Sequence, residues 1–293
     1  LQSVPKAIMN VLKANIGTGV LSLPFAFMHA GLVVGSLILL AVALLSVHCI
    51  RLLIETGKVL EPNGKAMSYP EAGRRTFGAI GEYTVDCFLI LTQLGFCGVY
   101  FVFLGTTFST MTNNTLFSST VVFLLYIPLA LLSCVRTLKW LAPVAGVGQF
   151  AILGACLVIM IEAGINIPNT QQAQSYSLAT SFGGAVTFFS TIIYSFEGIG
   201  VVVPVENRMK DRSKFTPMML GCYCFIAILF LSLGIVGYLG YGTETPGEIS
   251  LALSREHTTP VSQVVNAALA FSVIFTYPLQ LYPAVAILEE PIL

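Results

Sequence analysis

The chain contains two short stretches that interrupt long apolar runs: KANIGTGVLSLP at residues 13–24 and YSFEGIGVVVP at residues 194–204. Each stretch reads Gly-x-Gly-Val and reaches a proline within five residues. Glycine has no side chain to stabilise a helix, and proline lacks the backbone N–H that donates a helix hydrogen bond. Each stretch can therefore unwind within a helix. An unwound backbone survives in lipid only where it is buried in protein or lines a cavity. The pair therefore predicts two interrupted membrane helices.

The composition around these stretches is that of a membrane protein. Only 10% of the 293 residues are charged and 56% are hydrophobic, whereas about a quarter of the residues are charged in soluble domains. Several windows longer than the roughly 20 residues that cross a bilayer contain no charge, among them residues 14–50 and 87–135. The fold class is therefore predicted as an all-α polytopic membrane protein, with the lipid bilayer as its partner. The net charge of zero excludes nucleic acid bound through bulk charge.

Polar interruptions divide the apolar windows into eight predicted spans. They lie near residues 6–28, 32–54, 83–108, 120–136, 141–164, 182–204, 216–240 and 261–288. Because cytoplasmic loops are enriched in Lys and Arg, these residues indicate an orientation. Successive spans place the loops alternately on the two sides of the membrane. Thirteen of the 14 Lys and Arg residues then fall on the side of the N-terminus and only Arg255 on the other, which predicts a cytoplasmic N-terminus. Asn113 begins a glycosylation sequon in a loop that this orientation places outside.

The two interrupted spans, the first and the sixth, each start a block of five helices. Five is odd, so the second block runs opposite to the first. This predicts an inverted repeat, in which residues 1–165 form the first unit of the repeat and residues 181–293 an incomplete second one. Corresponding broken helices in inverted repeats indicate the substrate site of a transporter. Close packing of small residues explains one isolated Gly-x-Gly pair, but it explains two matching pairs less well.

Glu197 is the only acidic residue that the sequence places deep within a span. Carboxylates in the membrane interior are costly, so Glu197 is a candidate functional residue. It could bind a coupling proton, or it could accept hydrogen bonds from the opened backbone of the first span and latch the two breaks together. The two roles are compatible, because a latch that weakens on protonation couples proton binding to gating.

Motifs along the whole chain carry a family resemblance. They lie at residues 13–19 with 23–24, 195–201, 204–210, 237–239 and 276–280. Together they resemble the proton-coupled amino acid transporters of the amino acid/auxin permease family. The resemblance implies a LeuT-type fold of about eleven helices, of which the first eight are present here. The chain starts without Met and ends in apolar sequence, so we expect a fragment. Helix nine of the implied fold belongs to its scaffold and is among the missing helices, so we expect that this chain alone does not transport.

The breaks and the resemblance together predict a secondary transporter that moves a small neutral amino acid with protons by alternating access. Backbone amides around Gly17 and Gly19 would bind the substrate carboxylate, and carbonyls near Ser195 and Phe196 would bind its ammonium group. The Phe196 side chain would limit substrate size. Spans one, two, six and seven would tilt against the rest. The predicted substrate contacts are Ile16, Gly17, Thr18, Gly19, Tyr100, Ser195, Phe196, Gly198, Gly200, Thr276 and Tyr277.

Two alternatives stay open. Many relatives have a His, associated with proton coupling, where this chain has Asn10, so the first alternative is a sodium-coupled or exchange-type carrier. Ser272 and Thr276 would then be candidate sodium ligands. The second alternative is an amino-acid-sensing receptor. Enzyme motifs such as Gly-x-Ser-x-Gly and His-Glu-x-x-His are absent from the sequence, and neither a metal nor a cofactor is predicted. The plasma membrane and a lysosomal or endosomal membrane both fit the predicted orientation.

Overall fold

The computed structural model describes residues 2–60, 68–112, 117–133, 138–173, 176–196, 198–254 and 259–289. Within these ranges the regular elements are helices, apart from one isolated bridge between Gln2 and Met209. The helices are α1 (Val4–Asn15), α2 (Leu23–Ala30), α3 (Leu32–Leu60), α4 (Tyr69–Thr112), α5 (Phe117–Ser133), α6 (Leu138–Ala173), α7 (Phe182–Ser195), α8 (Ile199–Arg208), α9 (Phe215–Tyr241) and α10 (Pro260–Glu289). Short 3₁₀ turns lie at Thr18–Ser22, Arg212–Lys214, Gly242–Glu244 and Ile249–Ser254.

Five helices among the described residues are long and apolar enough to cross a membrane. They are α3, α4, α9 with its flanking turns, α10 and the Gly146–Pro168 part of α6. The pair of α1 and α2, bent by 48° at the break between them, is a sixth candidate. α7 and the Leu124–Ser133 part of α5 are apolar but shorter. The architecture is that of a multi-pass membrane protein, and the count of eight spans stays a prediction.

Several helices extend beyond the predicted spans. α4 begins at Tyr69 rather than near residue 83, and α6 continues to Ala173 rather than ending near residue 164. The added turns of α4 are polar and carry an ion pair in which Arg75 Nε lies 2.7 Å from Glu71 Oε1. Gly78, at φ 69°, separates these turns from the rest of α4 in a conformation that glycine adopts readily. Hydropathy marks where a helix meets lipid, whereas the helix itself continues into polar sequence.

The helices belong to two compact units. The first unit is formed by residues 1–87 and 173–238, and the second by residues 88–172 and 239–293. The first unit contains α1, α2, α3, α7, α8, most of α9 and the start of α4, and therefore the predicted spans one, two, six and seven. The second contains the rest of α4 with α5, α10 and nearly all of α6. Each unit combines distant stretches of the chain, and the division into two repeats by chain order stays a prediction.

The core of the first unit is built around Phe27 of α2, whose side chain is fully buried. Its ring lies edge-on to Phe188 of α7, with the ring centroids 4.9 Å apart. Two glycines let neighbouring helices approach the ring. A methyl group on Gly35 of α3 would lie 2.8 Å from it, and one on Gly234 of α9 only 2.4 Å. Small residues allow such close approach between membrane helices, so Phe27 joins α2, α3, α7 and α9.

The two ends of α3 meet different parts of the first unit. At its start, Leu32 N donates a hydrogen bond of 3.0 Å to Ser177 O in the segment before α7. Near its other end, Lys58 lies within electrostatic reach of Glu206 on α8. Gln2 also reaches this end of α8, because its backbone and its side chain both bond to the α8 backbone. The N-terminus, the end of α3 and the end of α8 are therefore grouped together.

Replacing Gly234 with alanine is expected to destabilise the first unit, because the added methyl group would collide with the enclosed Phe27 ring. Overpacking of this kind costs about 1–3 kcal/mol. Gly221→Ala on the same helix is the matched control, since nothing lies within 4 Å of the methyl group added there. Thermal unfolding of the purified protein should show a lower midpoint for Gly234→Ala than for Gly221→Ala. Equal midpoints would contradict the described packing.

Candidate functional site

The first break lies between α1 and α2. α1 ends at Asn15, and the next two residues leave the helix: Ile16 has φ −100° and ψ 90°, and Gly17 has φ −120° and ψ −157°. The 3₁₀ turn Thr18–Ser22 then leads into α2. The interruption predicted from the sequence is therefore confirmed. The carbonyls at the end of α1 and the amides at the start of the turn are therefore not joined by the hydrogen bonds of a continuous α-helix.

The second break lies between α7 and α8. α7 ends at Ser195, Phe196 has φ −93° and ψ 14°, and α8 begins after Gly198, with Gly200 in its first turn. Gly198 occupies the N-cap position without a side chain that could bond the first amides of α8. This interruption is also confirmed. Glu197, predicted as a proton site or latch, lies outside the described residues.

The two breaks lie against each other within the first unit. A methyl group at Gly19 would lie 2.8 Å from both Ser195 Oγ and the Tyr194 ring. The Tyr194 hydroxyl also reaches the first break, where it forms a 3.2 Å hydrogen bond with Thr18 Oγ1. Only glycine allows the backbone at position 19 to approach α7 so closely. The fold thus brings together predicted site residues from both stretches and adds Tyr194, which the sequence reasoning did not select.

Asn15 makes a second contact between the breaks. A methyl group at Gly198 would lie 2.6 Å from Asn15 Nδ2 and 2.8 Å from its Oδ1. The Asn15 residue is 3% exposed, and its Nδ2 donates to Val11 O at 2.9 Å. Its Oδ1 is buried and accepts no hydrogen bond from the part of the chain that the structure describes. A buried acceptor without a donor typically costs about 1–3 kcal/mol, so this oxygen is suited to a ligand that carries a donor.

Sequence reasoning missed Asn15 as a site residue. Its position was the available signal, because it is the last residue of α1 before the break. An amide side chain at that position can reach whatever lies beside the unwound backbone.

The side chains of Ser195 and Phe196 are engaged within the first unit. The Phe196 ring centroid lies 6.1 Å from that of Tyr223 and 5.0 Å from that of Phe230, both on α9. The Ser195 hydroxyl donates to Thr191 O at 2.9 Å. The predicted ammonium contacts at these two residues are backbone carbonyls, which these side-chain contacts do not occupy.

The other predicted contacts belong to the second unit. Tyr277 of α10 lies edge-on to Phe101 of α4, with the ring centroids 5.4 Å apart, and Tyr100 is buried. Thr276 Oγ1 donates to Ser272 O at 2.7 Å. Ser272 Oγ is buried without a hydrogen-bond partner among the described residues. The sodium role named for Ser272 and Thr276 stays a prediction.

Two further predictions concern groups away from these residues. Asn113, the predicted glycosylation site, lies outside the described residues. Within the described ranges, no group of three or more His, Cys, Asp or Glu side chains could hold a metal ion.

The chain matches a family of known proteins along almost its whole length. A sequence profile described as transmembrane amino acid transporter protein covers residues 2–292. The chain belongs to this family. It is 34% identical to amino acid transporter AVT3B of Arabidopsis thaliana over 308 residues, which cover 99% of this chain and 72% of that protein. Amino acid transporter AVT3C of the same plant is 33% identical over 316 residues, with coverage of 99% and 71%. Vacuolar amino acid transporter 3 of Saccharomyces cerevisiae is 29% identical over 298 residues, with coverage of 98% and 42%.

Membership of the transmembrane amino acid transporter family confirms the resemblance drawn from the motifs. The family and the names of these relatives indicate a membrane transporter with amino acids as substrates, not an enzyme. The two breaks in the first unit are accordingly the candidate substrate site of a transporter of this family.

Replacing Gly198 with alanine is expected to push the two breaks apart, because the methyl group would overlap the Asn15 amide. A cost of about 1–3 kcal/mol at this contact corresponds to roughly a five- to 150-fold loss of substrate affinity. Amino acid binding to the purified protein measures the loss. Gly183→Ala on α7, where the nearest described atom would be 3.8 Å away, is the control. Unchanged binding by Gly198→Ala would show that the contact is unimportant.

Proposed function

We propose that the protein is a secondary active transporter that moves small neutral amino acids by alternating access, with protons as the coupling ion. The observation that carries the proposal is the meeting of two helix breaks in one unit, with the buried Asn15 Oδ1 between them. Helix breaks of this kind supply amide donors and carbonyl acceptors in the membrane without any charged side chain.

A zwitterionic amino acid matches these groups. The amides around Gly17 to Gly19 bind the carboxylate, and the carbonyls of Ser195 and Phe196 bind the ammonium group. Residues 14–50 and 163–196 contain no Asp, Glu, Lys or Arg. Glu197, which follows at the second break, is assigned to the coupling proton, so it is not counted as a counterion for a charged substrate side chain. The contributions of Tyr100, Thr276, Tyr277, Ile16, Gly198 and Gly200 to substrate binding stay predictions.

The composition of the first unit supports alternating access. This unit contains the predicted spans one, two, six and seven, which are the four expected to move together. Shared packing around Phe27 joins all four of these spans, so we expect them to move as one body.

The grouping of helix ends supports a cytoplasmic N-terminus. Gln2, Lys58 and Glu206 come together at one end of the first unit, on the side to which the charge pattern assigns thirteen of the 14 cations. Such enrichment in Lys and Arg is typical of cytoplasmic loops. The name of the yeast relative favours a vacuolar or lysosomal membrane over the plasma membrane.

Uptake of radiolabelled amino acids by liposomes that contain the full-length protein tests the proposed function. We expect saturable uptake that depends on a pH gradient and persists when choline replaces sodium at fixed pH. Loss of uptake in choline would instead favour sodium coupling, for which Ser272 Oγ is the candidate ligand. Specific binding without flux would favour a receptor. The absence of both uptake and exchange would refute the transporter.

Glu197→Gln is expected to flatten the pH dependence of uptake, because the substituted side chain cannot take up a proton. The same liposomes measure uptake across a series of pH values for the variant and the unmodified protein. If both give the same pH profile, Glu197 is not the coupling site.

A further inference from the structure

The Asn15 side chain is held in one orientation at the end of α1. Its Nδ2 donates a hydrogen bond of 2.9 Å to Val11 O, one turn earlier in the same helix. Only the nitrogen of an amide side chain can donate, so this bond identifies which of the two terminal atoms is Nδ2 and which is Oδ1. The bond also engages Nδ2, so Oδ1 is the atom that remains to bind another group.

Oδ1 is enclosed by protein and has no donor. The Asn15 residue is 3% exposed, and its Oδ1 is buried without a hydrogen-bond partner among the described residues. The amide lies against the backbone of the second break, because a methyl group at Gly198 would be 2.6 Å from Nδ2 and 2.8 Å from Oδ1. An acceptor that has been removed from water needs a donor in its place. The described part of the chain supplies none, which indicates a ligand that carries an N–H or O–H group.

Two contacts place Oδ1 at one edge of the candidate site. Asn15 lies against Gly198, and Gly19 lies against Ser195. The residue number rises along the first stretch and falls along the second, so the two stretches run antiparallel. In each stretch, the residues that leave the helix lie between the two contacts. Oδ1 therefore lies beside the backbone groups that the breaks release.

The proposed substrate has one group that suits this oxygen. A carboxylate would be repelled by Oδ1, and an apolar side chain would leave it without a donor. An ammonium group carries three N–H donors. The proposed function assigns two of them to the carbonyls of Ser195 and Phe196. The third N–H needs an acceptor, and Oδ1 needs a donor.

We propose that Asn15 is a specificity-determining residue whose Oδ1 accepts the third hydrogen bond of the substrate ammonium group. The inference rests on the proposed function, because the two carbonyls are assigned there. It narrows the substrate class to amino acids with an unsubstituted α-ammonium group. An N-methyl amino acid has only two N–H donors, so one of the three buried acceptors is left unpaired however it binds.

Calorimetric binding of L-alanine and N-methyl-L-alanine to the purified full-length protein tests the contact without transport. The unmodified protein should bind alanine roughly ten- to 150-fold more tightly, which is the effect of one hydrogen bond to a charged group. Asn15→Leu removes both polar atoms at nearly the same size. It should weaken alanine binding by a similar factor and leave N-methylalanine binding nearly unchanged, so that the preference for alanine disappears.

Asn10→Leu is the matched control, because it makes the same substitution on the same helix. The Asn10 Nδ2 donates to Gln2 Oε1 at 3.0 Å, one turn and more before the break. This variant should keep the preference of the unmodified protein for alanine. A loss of preference in both variants would show a general effect of altering α1 and would overturn the assignment to Asn15.

L-serine separates the ammonium group from a substrate side chain that carries its own donor. If Oδ1 binds the ammonium group, Asn15→Leu should weaken the binding of serine and of alanine alike. Weaker binding of serine alone would show that Oδ1 binds the substrate side chain, and the inference would be wrong.

Two further results would overturn the inference. One is an Asn15→Leu variant that still prefers alanine to N-methylalanine as strongly as the unmodified protein does. The other is an unmodified protein that binds the two ligands equally well. The second measurement needs no variant, so it decides the matter even where Asn15→Leu fails to fold.

The outcome can be separated from that of the proposed function by measuring uptake into liposomes in parallel. A protein without uptake whose preference for alanine depends on Asn15 would refute the transport mechanism and support the ammonium contact. Proton-driven uptake by a protein whose preference does not depend on Asn15 would support transport and refute the contact. A protein that binds neither alanine nor serine would refute the contact whatever its uptake.

Discussion

Backbone amides and carbonyls cannot face lipid without a hydrogen-bond partner, and the arrangement of the first unit depends on this constraint. A helix broken at Gly17 or at Gly198 exposes such groups within a predicted span. The chain places the two breaks against each other, so each is enclosed by protein. The same groups that would be costly in lipid become the polar contacts that a zwitterionic substrate needs.

Enclosing the breaks requires that helices approach closely, and glycine residues supply the space. Gly19 lies against Tyr194 and Ser195, while Gly234 lies against the ring of Phe27. A side chain at either glycine would hold the helices apart, because the neighbouring atoms are already in contact. Packing and function are therefore coupled in the first unit, since the residues that bring the helices together also close the candidate site.

The predicted helices and breaks were recoverable from the sequence because their signals are local. Charge-free windows mark the spans, and Gly-x-Gly-Val followed by proline marks each break. The ends of α4 and α6 were less predictable, because a helix continues into polar sequence that hydropathy excludes. The close approach of Gly19 to Ser195 agrees with the predicted pairing of the two stretches, whereas Asn15 and Tyr194 were not selected.

The sequence by itself determined the all-α membrane class, the two interrupted helices and the family, because each depends on residue types at short spacing. Only the tertiary structure decided which side chains meet. It placed the Asn15 amide at Gly198, the Phe196 ring between aromatic residues of α9, and the Thr106 hydroxyl beside Glu248. These partners are separated by 27 to 183 positions in the chain. Their contacts follow from how the helices pack, which no local pattern of residues specifies.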